Sequence, residues 1–217
     1  MSSNSTCLGP DLLWRNVRTG PGEMLRGALF VDRDGVLIEE KIYLSDPEQV
    51  ELVPGAVELL REAIRRKIPV IEVTNQAGIA KGKFGWPEFA AVEERLEALL
   101  AAQGIRIDAV LACPFHEEGH GVYRVNHPWR KPAPGMILEA ASLLRLQLYR
   151  SLMVGDKFSD IAAARQAGLP CAVQVLTGHG RDNAEESLSL ATPGFRVSVV
   201  ADPSEAIRHL DEIVPPA

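Results

Sequence analysis

The sequence has few cysteines, no long apolar run and no secretory leader pattern. Cys7, Cys113 and Cys171 are widely spaced and odd in number, which excludes a disulfide framework and favours a reducing cytoplasm. No apolar stretch approaches the roughly 18 residues that a membrane span needs. The first residues, MSSNSTCLGPDLLW, lack both a basic and an apolar region. We therefore expect a cytoplasmic protein that neither spans a membrane nor is secreted.

The chain also lacks an excess of basic residues. Its 23 Lys and Arg stand against 29 Asp and Glu, for a formal net charge of −6, so we expect no basic face that could follow a nucleic-acid backbone. Its length of 217 residues suits one α/β domain, and 46% hydrophobic residues are enough for a core. These values favour small-molecule chemistry, and we expect a monomer.

The order of segments predicts the fold class. Residues 1–26 are rich in Ser, Asn, Gly and Pro, which predicts an irregular N-terminal arm. We expect residues 27–217 to fold as one domain. In that domain short apolar runs alternate with segments of helical period, which predicts an α/β fold with a mainly parallel sheet and crossover helices. We predict strands at 28–31, 69–73, 109–112, 152–154, 172–176 and 196–200, and a last helix over 204–213.

Polar residues follow several of these apolar strands directly. Residues 28–31 are continuously apolar, as a strand covered on both faces must be, and they stop at Asp32. The strand at 69–73 runs into Thr74, and the strand at 152–154 runs into Gly155 and Asp156. Because open α/β sheets bind ligands outside the carboxyl ends of their strands, we expect these residues to share one site.

The segment Asp32-Arg33-Asp34-Gly35 places two carboxylates one residue apart at the end of a buried strand. Two like charges are costly to bury together unless a cation compensates them, so the pair suggests a metal. Oxygen ligands favour a hard ion such as Mg²⁺. The alternative is a solvated Asp-x-Asp-Gly turn without chemistry.

Three further segments carry groups that suit a phosphate. Residues 74–78 (Thr-Asn-Gln-Ala-Gly) offer a hydroxyl, two amides and a flexible backbone, although taken alone they favour a helix cap. Residues 130–132 (Arg-Lys-Pro) supply two cations that could also be plain surface. Residues 155–160 (Gly-Asp-Lys-Phe-Ser-Asp) put acids at the opening of a helix, where capping is the alternative.

Together, in this order and each after a predicted strand, the four segments resemble the haloacid dehalogenase (HAD) superfamily of phosphohydrolases. The stretches FVDRDGVL, VTNQAGIAKGKF, RKPAPGM and LMVGDKFSD are most similar to the D,D-heptose 1,7-bisphosphate phosphatase and histidinol-phosphate phosphatase family. The similarity covers about residues 28–180 and leaves the N-terminal arm outside. It implies a HAD-like, Rossmannoid three-layer sandwich.

The resemblance also implies roles for single residues. Asp32 would be the nucleophile and a Mg²⁺ ligand, and Asp34 the general acid and base, with its backbone carbonyl on the metal. Thr74 and Lys131 would hold the transferred phosphoryl group. Asp156 would complete the protein's Mg²⁺ ligands.

The remaining implied positions surround that centre. Asp160 would orient metal-bound water. The positions that match substrate-contacting residues of the family are Tyr43, Asn75, Gln76, Arg130 and Lys157.

Elementary chemistry agrees with these roles. Uncatalysed hydrolysis of a phosphate monoester needs acceleration of up to ~10²¹-fold, because the ester repels anionic nucleophiles. A cation beside Lys131 would neutralise that charge, and Asp34 could protonate the leaving alcohol and then deprotonate the water that cleaves the aspartyl-phosphate. A receiver domain that keeps its aspartyl-phosphate as a signal would not need an acid that protonates a leaving alcohol.

Spacing between the segments predicts an open site. The intervals from Asp32 to Thr74 and from Asn75 to Lys131 have no room for an inserted cap domain. Specificity must then come from the flap at 39–43 and from the long loop at 113–129. We therefore expect a capless enzyme.

The long loop departs from the family. Many heptose-bisphosphate phosphatases hold a structural zinc with Cys-x-His and Cys-x-Cys, but here these positions read Cys113-Pro-Phe and His127-Pro-Trp. We expect no structural zinc and a loop packed by its aromatic side chains. The alternative is a rearranged zinc site of Cys113, His116, His120 and His127, since zinc accepts these ligand types.

The function that follows is a Mg²⁺-dependent phosphatase acting on a small phosphorylated metabolite, first a sugar bisphosphate such as D-glycero-D-manno-heptose 1,7-bisphosphate. Histidinol phosphate is an alternative substrate. A nucleic-acid 3′-phosphatase is a further alternative, because such domains share the Asp-x-Asp-Gly and Thr-Asn-Gln segments, but the acidic charge opposes it. A non-catalytic phosphosugar-binding protein of the same fold is the last alternative.

Overall fold

A computed structural model describes residues 7–20 and 26–213. The described strands form one seven-stranded sheet in the order β1-β4-β3-β2-β5-β6-β7. All neighbouring pairs are parallel except β1 with β4, which is antiparallel. The strands are β1 (Trp14–Val17), β2 (Leu29–Val31), β3 (Val70–Asn75), β4 (Ala109–Cys113), β5 (Leu152–Gly155), β6 (Cys171–Val175) and β7 (Arg196–Val200).

Helices connect the parallel strands and cover both faces of the sheet. They are α1 (Ala56–Arg65), α2 (Ala77–Ala80), α3 (Trp86–Ala101), α4 (Gly135–Leu144), α5 (Phe158–Gln166) and α6 (Gly180–Leu188). Among the described residues, none of these helices combines the length and apolarity that a bilayer crossing requires. The predicted three-layer α/β fold is confirmed.

Local sequence explains where two of the helices begin. Pro87 lies in the first turn of α3, where a missing N–H costs nothing, and the side chain of Glu88 accepts the backbone N–H of Gly85 at 2.8 Å. At α5 the Asp160 carboxylate accepts the backbone N–H of Lys157 at 3.0 Å. Asp160 therefore caps a helix at the same time as it faces the site described below.

Each face of the sheet has its own apolar core. Alternate residues of β2 divide between them, because Leu29 and Val31 belong to one cluster and Phe30 to the other. The first cluster packs against α1 and α3, and the second against α4 and α5. With both faces covered, β2 is wholly buried, and its carboxyl end is held in the middle of the sheet.

Two secondary-structure predictions need correction. Within 1–26, expected to be irregular, Trp14–Val17 form a strand on the edge of the sheet, with Trp14 opposite Ala112. A four-residue strand has too short a pattern to be recognised without its distant partner. The predicted last helix is a 3-10 helix, Pro203–Glu212, whose start is capped by the Asp202 side chain.

The connections between the strands are short. Between β2 and β3 the chain forms only a flap, a 3-10 helix (Pro47–Gln49) and α1, and between β3 and β4 only α2 and α3. Neither segment has room for a separate cap. The carboxyl ends of β2, β3 and β5, which are neighbours in the sheet, are therefore flanked by these short connections and not by a cap.

Candidate active site

The sheet brings together the polar residues that follow its central strands. Asp32 comes directly after β2, Thr74 is the fifth residue of β3, and Asp156 follows β5. Lys131, from the loop before α4, and Asp160, from the first turn of α5, reach the same place. All five are at most 4% exposed. The shared site expected at the carboxyl ends of the strands is therefore present in the fold.

Three carboxylates form the floor of this site. One oxygen each of Asp32, Asp156 and Asp160 lies within 4.8 Å of the others, and all three side chains are buried. Burial, and then the charge of Asp32, raises the pKa of Asp156 to about 8. Burial and Asp32 also raise the pKa of Asp160, although Lys131 opposes the rise. The cluster is thus short of positive charge.

Lys131 is a buried cation in direct contact with this cluster. Its Nζ lies 2.9 Å from Asp32 Oδ1 and 2.7 Å from Asp160 Oδ1, and it donates to the Val73 carbonyl at 2.7 Å. Burial lowers the pKa of Lys131, but Asp160 and Asp32 outweigh that effect and raise it above its usual value. Lys131 is therefore a fixed ammonium beside the Asp32 carboxylate.

Asp156 is held tightly with one oxygen unpaired. Its Oδ2 accepts the backbone N–H of His179 at 2.8 Å, while its buried Oδ1 has no hydrogen-bond partner within the described part of the chain. A Cβ on Gly35 or on Gly178 would come within 2.4 Å of that Oδ2, and both glycines have positive φ. Only glycine fits so close a packing at these two positions.

This donor set fits a hard divalent cation. Carboxylate oxygens are the preferred ligands of Mg²⁺, and a dication would relieve the repulsion among Asp32, Asp156 and Asp160. It would also give the unpaired Asp156 Oδ1 a partner. The side chain of Asp34 is not part of this group. The expected contribution of its backbone carbonyl to the metal stays a prediction.

Asp34 instead lies beside the cavity, between an amide and a guanidinium. Gln76 Nε2 donates to Asp34 Oδ2 at 3.1 Å and to Thr74 Oγ1 at 2.8 Å. The Arg33 guanidinium lies 3.1–3.3 Å from both Asp34 oxygens. Gln76 thus links the Asp34 carboxylate to the Thr74 hydroxyl.

A cavity of about 530 Å³ opens above these groups. That volume suits a phosphorylated sugar. Its cations come from the flap, from the loop before α4 and from the start of α5. The predicted site residues that line it are Asp34, Tyr43, Asn75, Gln76, Arg130, Lys131 and Lys157.

Two of these residues also have a clear structural role. The Asn75 side chain donates to the Lys131 carbonyl at 2.9 Å and accepts the Lys131 backbone N–H at 3.1 Å, so it fixes the loop that carries the lysine. Arg130 donates from Nη1 to the Phe115 carbonyl at 3.2 Å. Burial lowers the pKa of Arg130.

Several residues in or next to the cavity were not assigned a role from the sequence. Glu40 of the flap accepts from Lys157 Nζ at 2.8 Å and lies 3.6 Å from His179 Nε2. The Thr177 hydroxyl donates to the Gly35 carbonyl at 2.6 Å, which joins the loop after β6 to the loop after β2. The rule that polar residues follow buried strands, applied to β6, would have pointed to Thr177 and His179.

The loop at 113–129 packs mainly through aromatic rings. Phe115 stacks on His127 with ring centroids 4.5 Å apart and contacts Tyr123 at 5.8 Å, and the Arg15 guanidinium lies 4.4 Å from the centre of the Trp129 ring. His127 Nδ1 accepts the backbone N–H of Trp129 at 3.1 Å.

Three residues of the alternative zinc site, Cys113, His116 and His127, have shifted pKa values in this loop. His116 Nδ1 accepts the Glu118 backbone N–H at 3.0 Å. Burial raises the pKa of Cys113 to about 11, and burial lowers the pKa of His116 and of His127. The metal content of this loop remains a prediction.

Comparisons with known proteins agree on one family. A family model described as HAD-hydrolase-like matches residues 128–203. The chain is 44% identical over 179 residues, which are 82% of this chain and 78% of the relative, to a protein of Mesorhizobium japonicum named D-glycero-beta-D-manno-heptose-1,7-bisphosphate 7-phosphatase. A Vibrio cholerae protein of the same name is 36% identical, with 78% of this chain and 90% of the relative covered.

Solved structures similar to this one are also phosphatases of this family. A crystal structure of a HAD-like phosphatase from Mesorhizobium loti superposes with a TM-score of 0.82 at 40% identity, covering 93% of this chain and 92% of that one. The D,D-heptose 1,7-bisphosphate phosphatase of B. bronchiseptica, crystallised with magnesium and phosphate, superposes with a TM-score of 0.74 at 28% identity, covering 86% and 98%.

Proposed function

The chain belongs to the HAD-like phosphatase family whose relatives are named D-glycero-beta-D-manno-heptose-1,7-bisphosphate 7-phosphatase, and from this premise we propose its substrate and its catalytic residues. It is a phosphoric monoester hydrolase. Its substrate is a sugar bisphosphate of the heptose 1,7-bisphosphate class, from which it removes one phosphate. Mg²⁺ is its cofactor, and it acts as a cytoplasmic monomer.

One observation carries this proposal. The Asp32, Asp156 and Asp160 carboxylates meet within 4.8 Å, and Lys131, which pairs with Asp32, lines a cavity together with further cations. Buried acids paired with a buried lysine add little to the stability of a fold. Their presence here is better explained by the binding of an anionic substrate and a metal cation. When bound, Mg²⁺ supplies positive charge that stabilises the phosphoryl oxygens.

The chain's own residues account for both halves of the reaction. An Asp32 oxygen forms a bond to phosphorus as the bond from phosphorus to the sugar oxygen breaks, and Asp34 gives its proton to the departing oxygen. Asp34 then takes a proton from water, whose oxygen attacks phosphorus and releases Asp32 and inorganic phosphate. Lys131 and Thr74 hold the phosphoryl oxygens throughout. Gln76, which donates to both Thr74 and Asp34, orients the Asp34 carboxyl towards the phosphoryl group.

A substrate panel tests the proposal. Purified protein with Mg²⁺ is assayed for phosphate release from sugar bisphosphates, including heptose 1,7-bisphosphate, and from sugar monophosphates, histidinol phosphate and a 3′-phosphorylated DNA oligonucleotide. The Asp32→Asn variant serves as the control for contaminating phosphatase. We expect the highest kcat/KM for a sugar bisphosphate.

A different ranking of the substrates would contradict particular parts of the proposal. Preference for histidinol phosphate or for the oligonucleotide would replace the substrate class. Binding of the sugar bisphosphate without hydrolysis would favour a non-catalytic phosphosugar-binding protein. Equal activity of Asp32→Asn and wild type would remove Asp32 from the reaction.

A further inference from the structure

Arg33 is a fully buried guanidinium shared by two carboxylates. Its Nη1 donates to Glu93 Oε1 at 2.8 Å, and its Nε and Nη2 face both oxygens of Asp34 at 3.1–3.3 Å. The residue is 1% exposed, and its guanidinium lies 5.3 Å from the centre of the Phe89 ring. The direction of the guanidinium is therefore set by Glu93 on one edge and Phe89 on its face.

A buried arginine needs such partners, because an unpaired buried charge is strongly unfavourable. Glu93 supplies one of them from the middle of α3 and is itself only 6% exposed. Without Glu93, the Nη1 edge of Arg33 would have no acceptor, and the guanidinium would gain by rotating. Since its opposite edge contacts Asp34, that rotation would move the Asp34 carboxylate as well.

A third acid, Glu72, lies close to this pair without replacing Glu93. It is fully buried on β3, and within the described chain neither of its carboxylate oxygens has a hydrogen-bond partner. Burial, and then Glu93, raises the pKa of Glu72 well above its usual range. Burial raises the pKa of Glu93 too, but Arg33 opposes that rise. Besides Asp34, the acid in contact with Arg33 is therefore Glu93, whose Oε1 lies 2.8 Å from Nη1.

We propose that Glu93 is a positioning residue for the proton donor: it holds Arg33 in the orientation that keeps the Asp34 carboxylate at the edge of the cavity. This inference rests on the role proposed above for Asp34. Glu93 lines no part of that cavity and acts only through Arg33.

The size of the activity loss with two different leaving groups distinguishes a residue that positions Asp34 from one that only stabilises the fold. The test compares wild type, Glu93→Met, which removes the acceptor at similar volume, and Glu93→Gln, which keeps an acceptor oxygen. Glu97→Met is the matched control, because Glu97 lies one turn along α3, pairs with Arg18 and is half exposed. Each protein is assayed with the best sugar phosphate of the panel and with p-nitrophenyl phosphate, whose leaving group departs without a proton.

We expect Glu93→Met to lower kcat/KM for the sugar phosphate by about tenfold or more, and for p-nitrophenyl phosphate by less than about twofold. The parameter kcat/KM reports the step in which the leaving group departs. Glu93→Gln and Glu97→Met should stay within about twofold of wild type with both esters. Equal losses with both esters, or no loss, in a folded Glu93→Met protein would overturn the proposal.

A structure of the wild-type protein with vanadate provides a second test that does not depend on the folding of any variant. Asp34 should then face the vanadate while still in contact with Arg33, and Arg33 with Glu93. An Asp34 that leaves Arg33 to reach the vanadate would overturn the proposal. Failure of the proposed function is distinguishable, since it would appear as wild-type protein inactive towards both esters.

Discussion

Replacing Asp156 by asparagine should stabilise the metal-free protein while destroying its response to Mg²⁺. In the folded chain burial, and then Asp32, raises the pKa of Asp156 from 3.8 to about 8, and the residue is fully buried. An acid whose pKa is higher in the folded state makes folding less favourable once the unfolded state is ionised. The contribution of Asp156 to the stability of the metal-free protein should therefore fall as the pH rises from about 4 to about 8, with no further loss from this group above.

The magnitude follows from the same values. One pKa unit corresponds to about 1.4 kcal/mol. At pH 7 the unfolded Asp156, with its pKa of 3.8, is ionised and must take up a proton on folding, which costs about 4 kcal/mol over the interval from 3.8 to 7. The amide of Asp156→Asn carries no charge and removes this cost. Because the amide must itself find buried partners, we expect a net gain in the free energy of unfolding of about 2–4 kcal/mol at pH 7. At pH 4 the gain should vanish.

Urea unfolding in EDTA, followed from pH 4 to pH 8, measures this difference, and a repeat with Mg²⁺ measures the metal's contribution. Saturating Mg²⁺ should stabilise wild type by RT ln(1 + [Mg²⁺]/Kd) and leave Asp156→Asn nearly unchanged. Asp182→Asn, an exposed acid at the start of α6, is the control and should change stability by less than about 0.5 kcal/mol. A variant less stable than wild type in EDTA at pH 7, or a stability difference between variant and wild type that stays constant from pH 4 to pH 8, would refute this electrostatic account.

Three other predictions concern the reaction and the long loop. Asp34→Asn should lower kcat/KM for a sugar phosphate by about 10²–10⁴-fold, through lost proton transfer, and an unchanged rate and pH profile would remove that role. Lys131→Met should lose about 10²–10³-fold in kcat/KM, more than Arg130→Met, because Lys131 Nζ lies 2.9 Å from Asp32 whereas Arg130 donates to the Phe115 carbonyl. The reverse order of losses would exchange the two roles. Elemental analysis should find less than about a tenth of one zinc per chain, since a closed site needs four ligands. Stoichiometric zinc that is lost, together with thermal stability, in Cys113→Ser would show that the rearranged site exists.

The centre of the fold was predictable because its strands have local signatures. The strand before Asp32 is continuously apolar and ends in a carboxylate, and the strands before Thr74 and Asp156 repeat that pattern. The order of the strands places these ends side by side, so the residues singled out from the sequence meet in the structure. Their catalytic roles remain predictions, since geometry fixes position and not turnover.

Features that depend on distant partners were not predictable. The strand Trp14–Val17 exists because it pairs with β4, almost a hundred residues away. The pairing of Arg33 with Glu93 joins a loop to the middle of a helix, and a glutamate within a helical pattern has no property that marks it as buried. His179 contacts Asp156 through its backbone, so its side-chain type carried no signal for that contact.

Trapping the phosphorylated enzyme tests the central claim most directly. Wild-type protein is mixed with Mg²⁺ and the preferred sugar bisphosphate, quenched within milliseconds and treated with borohydride, which reduces an aspartyl-phosphate to homoserine. Peptide mass spectrometry should find homoserine at position 32, with no such product from protein mixed with the sugar lacking phosphate. Active enzyme that yields no homoserine, or yields it at another aspartate, would contradict the assignment of Asp32 as the nucleophile.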